Sequence, residues 1–282
     1  MTCNTEKARR PDQYRTRLAL TIILAGLLTA CTQQADRTAI SSTDESGDPT
    51  INVLTPEEVA EGWVLLFDGS SLAGWRGLGR DHVPEGHWRV EDGTIHKIAS
   101  GDVPTAADGQ PLEGGDLMTE AVFGDFELQL EWKVSPGANS GVKYNVSEDM
   151  STSSPPEYAA LGFEYQILDD ERHPDAANGP NRTAAALYDL VAPSDSKTLK
   201  PAGEFNSSRI VLAGNRGEHW LNGQLEVEYE IGSSTFDSLL AASKYQPIPG
   251  FAERREGHIV LQDHGDDVWF RNIKIRELGN TD

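Results

Sequence analysis

The chain has 282 residues, and its 45 Asp and Glu outnumber its 24 Lys and Arg to give a formal charge of −21. This acidic balance argues against nucleic acid as a partner, because phosphates attract Lys and Arg, while the length allows a sizeable core without disulfides or structural metal. Only two cysteines occur, without a Cys-x-x-Cys pair, which excludes thiolate zinc sites and Cys-x-x-Cys redox motifs.

The first thirty residues have the pattern of a secretory signal. Five basic residues precede an apolar run from Leu18 to Leu28, which is too short for a mature membrane-spanning helix. The run ends in Leu28-Thr29-Ala30-Cys31, which resembles the bacterial lipobox, whose Cys is acylated and becomes the mature N-terminus. We predict a lipoprotein signal over residues 1–30, lipidation of Cys31 and a lipid anchor at the periplasmic face of the outer membrane or at the cell surface. An ordinary signal peptide is the alternative.

A polar segment and a short helix follow this signal. Residues 31–54 are rich in Ser, Thr, Asp and Gly and are predicted to form a flexible tether. Thr55 is a suitable N-cap, Pro56 suits the first helical position, and Glu57 and Glu58 favour a helix N-terminus. The helix must be short because Gly62 follows within two turns.

From Trp63 onward, apolar and polar residues mostly alternate. Phe126–Trp132 and Leu225–Ile231 alternate strictly, which is typical of half-buried antiparallel strands. Asn222-Gly223 lies between two such runs and is a strong hairpin signal. The sequence therefore predicts an all-β fold.

Few segments interrupt this strand pattern. Ser238–Lys244 is compatible with one or two turns of helix, and Gly101–Gly115 and Asn145–Leu161 are predicted to be loops. No linker divides the remainder, so we predict one domain over residues 55–280.

Polar residues cluster on or just beyond four of the predicted strands. By strand parity, Lys143 lies opposite Val142 and Tyr144, and Glu164 and Gln166 point away from the core. Taken singly, such residues often only face water or cap turns. Together, amide, carboxylate, imidazole and amine groups near Trp and Tyr suit a sugar, whose hydroxyls need donors and acceptors and whose C–H faces need aromatic contact.

A series of short motifs identifies a more specific relationship. In order, they resemble the 3-keto-disaccharide hydrolase domain family of bacterial secreted proteins, over about residues 60–278. The matching motifs are Leu66-Phe67-Asp68-Gly69, Gly74-Trp75, Asp116-Leu117, Phe126-Glu127-Leu128, Asn139-Ser140-Gly141, Glu164-Tyr165-Gln166-Ile167-Leu168-Asp169-Asp170, Ala186-Leu187-Tyr188-Asp189-Leu190, Gly203-Glu204-Phe205-Asn206, His219-Trp220-Leu221-Asn222-Gly223, Leu261-Gln262-Asp263-His264-Gly265 and Phe270-Arg271-Asn272-Ile273. The resemblance implies a concanavalin- or lectin-like jelly-roll sandwich of two antiparallel sheets.

The resemblance also implies a reaction and a substrate, an oligosaccharide or glycoside oxidised at C3. The ketone acidifies the C2 hydrogen, so a base removes it and the C1 substituent leaves. Water can then add to the product. A hydrolase and a lyase or hydratase are therefore both compatible with the resemblance. We predict Glu164 as the base and His264 as the acid or enolate stabiliser. The residues predicted to bind substrate are Asn139, Lys143, Gln166, His173, Tyr188, His219, Gln262 and Arg271.

Other chemistries stay open. No cofactor is certain; a divalent cation bound by Glu164, Asp169, His173 or His264 would polarise the ketone, although their spacing matches no metal motif. A direct glycosidase would use paired carboxylates, for which Glu127 and Glu131 are candidates. A jelly roll can also bind glycans without catalysis.

Overall fold

The computed structural model describes residues 51–99, 115–153 and 159–279. The predicted signal, Cys31, the tether as far as residue 50 and nearly all of the predicted loop Gly101–Gly115 lie outside the described residues, so these predictions stay untested. No helix in the described ranges is long and apolar enough to cross a membrane.

Most of the regular structure is β-strand. The described strands are β1 (Val64–Leu65), β2 (Trp75–Gly77), β3 (Trp88–Glu91), β4 (Thr94–Lys97), β5 (Leu117–Thr119), β6 (Phe126–Val134), β7 (Asn139–Val146), β8 (Phe163–Leu168), β9 (Asn206–Ala213), β10 (Arg216–Leu221), β11 (Gln224–Glu230), β12 (His258–Leu261) and β13 (Val268–Glu277). The α-helices are α1 (Pro56–Ala60), α2 (Glu148–Ser153) and α3 (Ser234–Ala242), and short 3₁₀ turns occupy Pro174–Asn178 and Pro180–Arg182.

The strands form two antiparallel sheets. In the larger sheet the order is β11–β10–β9–β6–β13–β4–β3, and β1 pairs with the second half of β13. In the smaller sheet the order is β2–β5–β12–β7–β8. Apolar side chains from both sheets form one buried cluster between them. The fold is the all-β jelly-roll sandwich that the sequence predicted.

Several local predictions are confirmed. Thr55 caps α1 in a capping box with Glu58, and Pro56 is the first helical residue. Asn222 and Gly223 have φ of 48° and 83° and join β10 to β11. Both are left-handed, as a two-residue hairpin turn of this type requires.

Two local predictions need correction. The segment Asn145–Leu161 is not entirely a loop, because its first two residues complete β7 and α2 follows. The helix predicted over Ser238–Lys244 begins four residues earlier and ends at Ala242, because the Ser233 side chain caps its N-terminus.

A pair of asparagines ties the start of the described chain to the last strand. The Asn52 amide N–H donates to Asn272 Oδ1 at 2.6 Å, and the Asn272 amide N–H donates to Asn52 Oδ1 at 2.8 Å. Both residues have positive φ, which Asn tolerates better than most residues. Asn52 also donates from Nδ2 to the Gly93 carbonyl at 2.8 Å. Asn52 is therefore held both by the last strand and by the turn at Gly93.

His219 lies in the core, and its predicted role in substrate binding is wrong. The side chain is fully buried on β10, where alternation turns it inward with Gly217 and Leu221. Its Nδ1 donates to the Ala185 carbonyl at 3.0 Å, which leaves Nε2 to accept from the Tyr144 hydroxyl at 2.8 Å. Burial lowers the pKa of His219 to about 4, because a charged ring would lose water and its acceptor role.

This buried histidine makes stability depend on pH. Between pH 6.5 and pH 4 the unfolded chain binds a proton at His219 that the folded chain does not, so acidification over this range lowers the free energy of unfolding by about 3 kcal/mol. We expect His219→Gln to fold less stably at pH 7 but to lose less stability between pH 7 and pH 4. Urea denaturation at several pH values measures the free energy of unfolding of both proteins. If this free energy changed with pH by the same amount in both, the assignment would be contradicted.

Candidate active site

The candidate site lies on the outer face of the smaller sheet, where β7 pairs with β8 and β12. Alternation along β8 sends Phe163, Tyr165 and Ile167 into the core and leaves Glu164 and Gln166 on the other face. These strands therefore serve the core with one face and the site with the other.

A small cavity occupies this face. Two strands of the sheet and the residue after β12 supply its floor, and loops supply its walls. Its lining residues are Asn139, Glu164, Gln166, Tyr188, Lys244, Gln262 and His264. All of these except Lys244 were predicted from the sequence, and the fold brings them together from segments far apart in the chain.

Glu164 is the carboxylate on the cavity floor. It is 4% exposed, and its Oε2 lies 3.8 Å from Nζ of Lys143, the residue opposite it on β7. Lys143 also donates to the Ala160 carbonyl at 3.3 Å, so it supports Glu164 without lining the cavity. A Cβ on Gly141 would lie 2.6 Å from Glu164 Oε1, so a side chain at this position would displace the carboxylate.

Two glutamines present unpaired oxygens. Gln166 donates from Nε2 to Asn139 Oδ1 at 3.3 Å, which leaves its Oε1 without a hydrogen-bond partner. Gln262 Oε1 is also buried and unpaired. A buried unsatisfied acceptor costs about 1–3 kcal/mol, so both oxygens favour a ligand that donates hydrogen bonds.

Tyr188 is held over the cavity by its loop. Its amide N–H donates to the Glu164 carbonyl at 3.0 Å, which pairs the loop with the edge of β8. Its hydroxyl donates to Asp175 Oδ2 at 2.7 Å and accepts from Arg182 at 3.3 Å. Burial and the bond to Asp175 raise the pKa of Tyr188, so the phenol stays neutral at physiological pH.

Lys244 is a lining residue that the sequence analysis missed. It follows α3, and its amide N–H donates to Asp189 Oδ2 at 2.6 Å. Its Nζ lies 4.3 Å from the ring centroid of Tyr188 and 5.2 Å from that of Tyr245. No periodic pattern marks a residue in a turn after a helix, so the sequence offered no signal for it.

With this geometry in place, comparison with known proteins identifies the family. The family model described as a 3-keto-alpha-glucoside-1,2-lyase-like domain matches residues 62–276. The chain belongs to this family. The protein named 3-keto-disaccharide hydrolase from Bacteroides thetaiotaomicron is 36% identical over 285 aligned residues, which cover 91% of this chain and 96% of that protein.

Two solved structures from Parabacteroides distasonis, both candidate glycosyl hydrolases, share the fold. The first has a TM-score of 0.70 and 31% sequence identity, and its alignment covers 81% of this chain and 99% of the other chain. The second has a TM-score of 0.55 and 28% identity and covers 77% of this chain and 99% of its own. These relatives place the lyase-like domain described here in a family of carbohydrate hydrolases.

A cluster of three side chains, of which only His264 lines the cavity, has the residue types and spacing of a metal site. His173, His264 and Asp266 offer ligand atoms that all lie within 4.8 Å of one another, and these residue types suit a divalent transition metal. His173 Nδ1 accepts from the Asp175 amide at 3.1 Å, which puts the proton of the neutral ring on Nε2. His173 could therefore bind a metal only after that hydrogen bond is released.

The predicted metal set differs from this cluster. Asp169 is not part of it, because Asp169 Oδ2 accepts from the Gly137 amide at 2.7 Å and Oδ1 accepts from the Glu171 amide at 3.2 Å. Glu164 lines the cavity but is not in the cluster. Asp266 was missed, although it comes only two residues after His264. Burial and the neighbouring His264 lower the pKa of His173.

Arg271, which was predicted to bind substrate, does not line the cavity. It lies on the outer face of the larger sheet, where its Nε is 2.6 Å from Glu131 Oε2. Its guanidinium also stacks 3.8 Å from the ring centroid of Phe205. The register of β13 with β6 brings Arg271 opposite Glu131, which composition alone does not reveal.

A buried ion pair fixes the loop that carries His264. Asp263 is completely buried; it bonds His87, and its Oδ1 lies 2.8 Å from Lys97 Nζ. Its amide N–H donates to Asp116 Oδ1 at 2.8 Å. Burial opposes ionisation of Asp263, but the His87 bond and the Lys97 charge outweigh it and lower its pKa.

We expect Asp263→Asn to lower the free energy of unfolding by about 3–5 kcal/mol, because it leaves the buried Lys97 ammonium without its counter-ion. Urea denaturation followed by circular dichroism measures the change. Asp81→Asn is the matched control, since the Asp81 side chain is fully exposed and its ion pair contributes little. Similar losses in both variants would rule out the anchoring role.

Proposed function

We propose that this protein cleaves glycosides whose C3 hydroxyl has been oxidised to a ketone, by removing the C2 proton and expelling the C1 substituent. The observation that carries the proposal is the buried Glu164, which shares one small cavity with His264 and two unpaired amide oxygens. The family of carbohydrate hydrolases to which the chain belongs supports a sugar as the ligand.

Glu164 is the proposed base. A C3 ketone lets the C2–H bond break to an enolate, and the carboxylate accepts that proton. The electron pair then forms the C1–C2 double bond as the C1–oxygen bond breaks. Lys143 pairs with Glu164, and Gly141 leaves room for its carboxylate.

His264 is the proposed acid for the leaving oxygen, or a donor to the enolate. Gln166 and Gln262 accept hydrogen bonds from sugar hydroxyls, and Tyr188 contributes an aromatic wall. Water then adds at C1 of the enone to give the free 3-keto sugar, so that elimination followed by hydration amounts to hydrolysis.

A divalent cation is the second version of this proposal. His264 and Asp266 would hold it, with His173 joining once its bond from Asp175 is released, and the ion would supply Lewis-acid polarisation of the ketone. The side-chain roles of Glu164 and the glutamines are the same in either version.

Two other functions are less well supported. A glycosidase needs two carboxylates across the scissile bond, and Glu164 is the only carboxylate among the described lining residues. Glu127 and Glu131 lie on the other sheet, paired with Arg209, Arg276 and Arg271. A non-catalytic glycan-binding module would need neither a base nor an acid, whereas this cavity contains both a buried carboxylate and an imidazole.

We expect Glu164→Gln to lower kcat on a 3-keto-glucoside by about 10²–10⁴-fold, because the amide cannot accept the C2 proton. The rate is followed by aglycone release and by ultraviolet absorbance of the enone. Glu131→Gln is the control carboxylate and keeps the wild-type rate.

Near wild-type turnover by Glu164→Gln would sink the base assignment. Binding of intact oligosaccharide with no turnover of any keto-sugar would favour the binding module instead. Repeating the 3-keto-glucoside assay with a chelator tests whether a metal ion is needed. Loss of activity that returns with added divalent cation supports the second version.

We also propose that Cys31 carries a lipid that anchors the enzyme to a membrane, on the basis of the lipobox-like sequence alone. We expect Cys31→Ala to move the protein from the membrane fraction to the soluble fraction when whole cells are fractionated. An unchanged distribution, with unchanged electrophoretic mobility, would contradict lipidation.

A further inference from the structure

One of the residues that line the cavity from its loop side is a lysine. Lys244 lies in the cavity wall, while Glu164 comes from the sheet that forms its floor. Among the described lining residues, Lys244 is the only lysine or arginine. Its backbone is anchored by Asp189, which also accepts two hydrogen bonds from Arg182, at 3.0 and 2.7 Å.

Removal of the C2 proton creates a negative charge that the base itself cannot stabilise. The charge develops on the C3 oxygen, and a fixed cation at that atom is the most effective way to lower the barrier in a water-poor site. Lys143 is not suited to this task, because it contacts Glu164 and the Ala160 carbonyl and does not line the cavity. The two lysines therefore differ in position: Lys143 pairs with Glu164 without lining the cavity, and Lys244 is one of the lining residues.

We propose that Lys244 is a catalytic residue whose ammonium contacts the C3 ketone oxygen and stabilises the enolate. This inference rests on the proposed function and deepens it. It divides the roles in the cavity: Glu164 takes the C2 proton, Lys244 holds the C3 oxygen without forming a bond to carbon, and His264 gives its proton to the leaving C1 oxygen. The substrate feature that the site selects is then the C3 carbonyl, whatever the leaving group.

The dependence on the leaving group separates Lys244 from His264. A p-nitrophenyl 3-keto-glucoside needs no acid, because nitrophenolate leaves unaided, whereas an alkyl 3-keto-glucoside does. We expect Lys244→Met to lower kcat by about 10²–10³-fold on both substrates, as the loss of an oxyanion donor does elsewhere. His264→Asn should impair the alkyl substrate far more than the nitrophenyl one. Exchange of the C2 hydrogen in D₂O should slow in Lys244→Met.

Lys133→Met is the matched control. Lys133 Nζ lies 4.3 Å from the Trp269 ring centroid, the same cation–ring distance as in the Lys244–Tyr188 pair, but on the larger sheet. We expect this variant to keep wild-type kcat. Lys244→Arg keeps the charge and should recover part of the lost rate, and thermal melting shows whether each variant is folded.

Each outcome bears on the inference. A folded Lys244→Met with a rate within twofold of wild type overturns it, and so does a defect confined to the alkyl substrate, which would make Lys244 the acid. A covalent adduct trapped at Lys244 by borohydride in the presence of substrate overturns it in favour of an iminium. If the wild-type protein turns over no 3-keto-glucoside at all, it is the proposed function that fails, which is a different result.

Discussion

The pairing of β7 with β8 and β12 places both the core and the candidate site, because side chains along a strand alternate between its two faces. A slip of one residue in β8 would carry Tyr165 to the cavity and Glu164 into the core. The apolar cluster between the sheets opposes such a slip. Hydrophobic packing on one face thus sets the geometry of the polar groups on the other, and the two cannot vary independently.

Buried ion pairs also help to set the positions of the polar groups in the site. Glu164 with Lys143, and Asp263 with Lys97 and His87, place acidic and basic side chains where little water reaches them. A buried ion pair contributes little stability beyond what apolar side chains of the same size would give. The role of these pairs is therefore better explained by positioning than by stability. One pair orients a carboxylate in the cavity floor, and the other fixes the start of the loop that follows β12.

The sequence predicted some residues of the candidate site and missed or misplaced others, on strands as well as on loops. Glu164 and Gln166 were placed correctly because alternation alone decides which way a strand residue faces. His219 was placed wrongly although its alternation with buried neighbours was visible, because its polarity was given more weight than its parity. Arg271 depends on strand register and Lys244 on the path of a turn after a helix, and neither can be derived from spacing along one chain.

The paired asparagines at the start of the described chain have a mechanical consequence. Asn52 bonds Asn272, which belongs to β13, and β13 lies between β6 and β4 inside the larger sheet. Tension applied to the chain before residue 51 is therefore transmitted to an interior strand held by neighbours on both sides. The load falls first on the three hydrogen bonds that join Asn52 to Asn272 and Gly93, which lie between the pulled end and the sheet.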